Sequence, residues 1–114
     1  MNKREIKFRA WRPDLGRHIY QIEVLSLVEK TGGEIQQYTG LEDLDGGDIY
    51  DGDIIQFKFR NKRGDVSTFL GKVFWDQYMW LVETADGDQY SLNRIYNPRI
   101  FGNIHEHLHL LNPE

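Results

Sequence analysis

The chain has 114 residues, 39% hydrophobic and 28% charged, with a net charge of −4 and no cysteine. That is enough for one domain with its own core and too little for a second full one; disulfides and cysteine-ligated zinc are excluded. No run approaches the ~18 apolar residues of a membrane helix, and the opening "MNKREIKFRAW" lacks the apolar segment of a signal peptide, so a cytoplasmic protein without a membrane partner is expected.

The first segment alternates, with Ile6, Phe8 and Ala10 on one side and Lys7, Arg9 and Trp11 on the other. Period two predicts a half-buried strand. "RPDLG" has the residues of a turn, and "RHIYQIEVLSLV" reads as the returning strand of a hairpin over residues 1–28. "KTGGE" is a second turn and "IQQYTG" a short strand.

The next stretch, "YTGLEDLDGGDIYDGDII", carries Glu42, Asp43, Asp45, Asp48, Asp51 and Asp53 without a basic residue. A calcium loop of the EF-hand kind wants oxygen ligands at positions 1, 3 and 5, glycine at 6 and glutamate at 12. Counting from Asp43, those last three positions hold Gly47, Asp48 and Ile54. The pattern fails, and Asp and Gly at these spacings are turn formers instead.

From Asp53 the chain reads as successive strands. "DIIQFKFR" sets Ile55, Phe57 and Phe59 against Gln56, Lys58 and Arg60; "NKRGD" is a polar loop; "VSTFLGKVFWD" contains Gly71, a place for two backbones to approach. "QYMWLVE" is followed by Asp86-Gly87, a strong hairpin signal, then by "QYSL", a 3₁₀ turn in "NRIYNP" and a last strand "RIFGNI". Five short strands with a turn before the last give the order of an SH3-like barrel. The fold class is therefore all-β: an N-terminal β region over 1–52, then an SH3-like barrel with a short C-terminal helical turn or tail over 53–114, forming one compact unit. Phe57, Val73, Trp80 and Ile104 are the expected barrel core.

Four blocks, "REIKFRAW", "YTGLEDLDGGDIYDGDII", "GKVFWD" and "IFGNIHEHLHLL", resemble the YopX family of phage and prophage proteins, in the family's order and across nearly the whole chain. The resemblance implies a phage or prophage accessory protein of the same two-part architecture, acting in a bacterial host cell, and no established activity. The chain departs from the family's usual Tyr-Glu-Asn-Pro-Glu-like run after "GNI", carrying His105-Glu106-His107-Leu108-His109 there. A site built on those histidines would belong to this member alone.

His105, His107 and His109 have spacings that either a strand or a helix could turn toward a metal, but surface histidines explain them more simply, and no metal or cofactor is expected. Ser26, Ser67, Ser91 and His18 lack the context of a nucleophile and base, so no enzyme is expected. Two basic sets stand out: Lys7, Arg9 and Trp11 on the first strand, and Lys58, Arg60, Lys62 and Arg63 at the first barrel hairpin. They form a candidate interaction or nucleic-acid face, since cations neutralise phosphates and tryptophan stacks on bases. The leading expectation is a protein–protein interaction module with a host or phage partner, or self-association; nucleic-acid binding is the alternative. The basic N-terminus and the acidic 42–53 stretch are expected to meet, within one chain or between two.

Overall fold

The computed structural model describes residues 7–20 and 34–111. The end of the predicted return strand and the "KTGGE" turn lie outside the described residues.

Two antiparallel sheets follow one another. The first has the order β2-β1-β3-β4, from β1 (Phe8–Arg12), β2 (Arg17–Tyr20), β3 (Glu34–Glu42) and β4 (Asp48–Tyr50). β1 and β2 form the expected hairpin, closed by Gly16 at φ 64°. β1 is not half-buried, however. It pairs with β3 as well, and both Arg9 and Ala10 are buried. β4 is an element that sequence reading passed over. "DLDGGD" and "YDGD" do contain turns, yet Asp48–Tyr50, where the two stretches abut, pairs with β3, Tyr38 opposite Tyr50.

The second sheet has the order β8-β7-β6-β5-β9, from β5 (Asp53–Arg60), β6 (Val66–Asp76), β7 (Met79–Thr84), β8 (Gln89–Ser91) and β9 (Tyr96–Asn103). Four strands meander, and the fifth returns beside the first, which is the SH3-like order predicted. The Asp86-Gly87 hairpin is present, with Gly87 at φ 89°. At Gly71 a Cβ would lie 2.7 Å from the carbonyl oxygen of Glu83, so β6 and β7 approach there as only glycine permits. The turn before β9 comes earlier than "NRIYNP", at residues 92–94, because Tyr96 already pairs with Lys58. The chain ends in a 3₁₀ turn, Leu108–Leu111.

The barrel core is Ile49, Ile55, Phe57, Val73, Val82 and Leu92, with Trp80 packed at its margin. Phe57 and Val73 are therefore inside as expected. Ile104 is not a core residue: it follows the end of β9 and is only half-buried. Ile49 belongs to β4, so the first sheet contributes to the core of the second.

Candidate functional site

The expected meeting of basic and acidic segments occurs within the chain. Lys7 Nζ lies 2.7 Å from Asp48 Oδ2, and Arg9 Nη2 lies 2.8 Å from Asp53 Oδ1. The second pair is inside: Arg9 is 4% exposed and Asp53 2%. Asp53 also accepts the Tyr50 N–H, Arg9 donates to the Asp51 carbonyl, and the guanidinium sits 4.8 Å from the centre of the Tyr50 ring. Burial pushes the Asp53 carboxyl upward, against the pull of Arg9 and the Tyr50 N–H.

Gln36 is the hub of this region. Its Oε1 accepts from Arg9 Nε at 2.8 Å and contacts His18 Nε2 at 3.0 Å; its Nε2 donates to Glu34 at 3.2 Å and contacts His105 Nε2 at 3.3 Å. An amide oxygen only accepts and an amide nitrogen only donates. The contacts thus assign His18 as the Nε2–H tautomer, while His105 Nε2 lies 3.3 Å from both the Gln36 amide nitrogen and Glu34 Oε2. Burial, with Arg9 nearby, brings His18 down to about 4. Burial also lowers His105, with Arg9 adding to it and Glu34 opposing it. Trp11 stacks flat on His105, 4.7 Å between centroids and 1° between planes. β1, β2, β3, the 51–53 turn and the segment after β9 are thereby joined by one hydrogen-bonded cluster. Sequence reading missed Gln36; one of two neighbouring glutamines in a short strand carries no signal of its own.

The three tail histidines do not converge. His105 faces Trp11, His107 Nδ1 accepts the Asn103 N–H, and His109 is exposed. Among the described residues no group of three His, Cys, Asp or Glu side chains is placed to hold a metal ion. Asp43 is a turn former: Oδ1 accepts the N–H groups of Asp45 and Gly47, and Oδ2 that of Ile100 on β9. Burial acts upward on this carboxyl, but those three donors hold it below the usual range. A cleft of about 420 Å³ opens beside the hub, with Arg17, His18, Tyr20 and Glu106 among its walls. Among the described residues no serine or threonine lines it, and Arg9 on its wall is already paired.

The two basic sets separate. Lys7, Arg9 and Trp11 are engaged with Asp48, Asp53 and His105, as above. Lys58, Arg60, Lys62 and Arg63 are exposed at the β5–β6 hairpin. At the opposite end of β6 the β6–β7 hairpin presents Trp75, 50% exposed, Tyr78, 86%, and Met79, 40%. Trp75 packs edge-on against Trp80, directly across the strands, and Gln77 makes the tight turn at φ 45°.

Among curated proteins, none matches the chain. The solved structure of protein EF1440 from Enterococcus faecalis is similar in fold, with a TM-score of 0.63 at 21% identity, over 96% of this chain and 99% of that one. The model of the family described as "YopX protein" matches residues 14–112. That match takes in the whole second sheet, the first sheet except β1, and the 3₁₀ turn, and the chain belongs to the YopX family.

Proposed function

We propose that the protein is a non-catalytic protein–protein interaction module of a phage or prophage, docking a host or phage protein through the tip of the β6–β7 hairpin. The observation that carries this is the exposure of Trp75, Tyr78 and Met79 on a two-residue turn between paired strands. Large apolar side chains held rigidly in water have no use in the barrel's own core. Trp, Tyr and Met are the types enriched at protein interfaces, where a few such anchors carry most of the binding energy. Strand pairing on both sides fixes the tip in advance, so docking loses little conformational entropy.

The test is capture from nuclease-treated host lysate by wild type and by the Trp75→Ala/Tyr78→Ala double variant. A protein held by the wild type and released by the double variant is expected, with both melting alike. Equal capture by both, or capture abolished by nuclease, refutes the reading. Sedimentation at micromolar concentration separates a foreign partner from self-association: a dimer that the double variant dissolves would make the partner a second copy.

A further inference from the structure

The outer face of β5 and β9 holds a second surface. Gln56 pairs with Arg99 and Lys58 with Tyr96, so two residues of β5 are matched by three of β9. The additional residue is taken up beside Asn97, whose φ is 50°. In a regular strand, positions three apart point to opposite faces. The bulge cancels this and brings Tyr96 and Arg99 onto the same side as Lys58 and Arg60. Tyr96 is 45% exposed, the Arg99 side chain 51%. Lys62 and Arg63 continue the cationic face around the hairpin. Among the described residues, Lys58, Lys62 and Arg63 make no ion pair; Arg99 only grazes Asp45 at 4.0 Å, and Asp65 is the one carboxylate in the hairpin loop. The Arg60 guanidinium lies 5.9 Å from the centre of the Tyr96 ring.

We propose that this face binds single-stranded nucleic acid, with Lys58, Arg60, Lys62, Arg63 and Arg99 on the phosphates and a base stacked on Tyr96. Alternate residues of a strand stand ~6.6 Å apart, comparable with successive phosphates along an extended polynucleotide. An exposed aromatic set among solvent-exposed cations is the combination that sequence-tolerant single-strand binding uses. A duplex, with its bases stacked inside, offers Tyr96 no partner. Lys7, Arg9 and Trp11 take no part, being engaged within the chain.

Anisotropy titrations of the whole protein test this with labelled 20-mers of thymidylate and of uridylate, a duplex of equal length, and polyglutamate as a plain polyanion. Each phosphate neutralised on a single strand contributes a slope of about −0.7 in log K against log salt, so five cations set a limit of about −3.5. Lys62→Glu with Arg63→Glu should weaken binding at least ten-fold at low salt and flatten the slope by about 1.4. Tyr96→Ala should cost roughly five- to hundred-fold with the slope unchanged, and Tyr96→Phe should restore affinity. No binding at low salt overturns the proposal. Equal affinity for duplex or polyglutamate does the same, as does a Tyr96→Ala variant that binds like the wild type.

Discussion

Replacing Arg9 by methionine keeps the apolar stem and removes the cation paired with Asp53. The carboxylate is left 2% exposed with, among the described residues, the Tyr50 N–H as its remaining donor, and Gln36 loses its 2.8 Å bond. Removing one partner of a buried pair costs about 3–5 kcal/mol, because the other charge stays behind uncompensated. In a domain of this size ~1 kcal/mol moves Tm by about 4 °C, so a fall of about 12–20 °C is expected. Urea melts followed by tryptophan fluorescence suit the measurement, with Trp11 reporting directly from its stack on His105. Asp53→Asn then discriminates. Alone it leaves Arg9 buried and unpaired, whereas on the Arg9→Met background it removes the stranded charge and should restore at least ~1 kcal/mol. A cost below ~1 kcal/mol for Arg9→Met, or an Asp53→Asn effect identical in both backgrounds, would refute the reasoning.

Phe57→Ala empties the centre of the barrel, where the ring is wholly buried, and should cost about 3–5 kcal/mol in a chemical melt. Gly52→Ala sets a Cβ into the Gln36 amide at a backbone φ of 87°; a loss of ~2 kcal/mol or more is expected, and a melt within ~0.5 kcal/mol of wild type would show that Gln36 yields freely. Stability should also fall with acid through the histidines. His18 titrates at 6.5 in the unfolded chain and at about 4 in the folded one, so between those values the unfolded state binds more protons and stability drops as pH decreases. Melts from pH 7 to pH 4 should show that slope, and His18→Gln should flatten it.

The barrel was legible because its signals are local. Alternation marked β5, β6 and β7, and the Asp86-Gly87 turn marked the hairpin between β7 and β8. β4 was not, since three residues between two glycine turns carry no period, and pairing with β3 alone makes them a strand. The basic set at Lys7 and Arg9 was legible as charge but not as placement: alternation put Arg9 on the outer face of β1, while the structure covers that face with β4 and the 51–53 turn. Tyr96 and Arg99 share a face only through the bulge at Asn97. A strand read with strict period two separates them.

β6 runs unbroken for eleven residues from the basic hairpin to the aromatic one. At ~3.3 Å per residue that is a rod of about 35 Å before curling. Two ligands seated at its ends would not collide, and no flexible tether would set the interval between them. Such a spacer confers on the second ligand a local concentration fixed by geometry rather than by the wandering of a linker. Lengthening or shortening β6 by a pair of residues, matched by the same change in its partners β5 and β7 so that register and face are kept, would therefore change that interval.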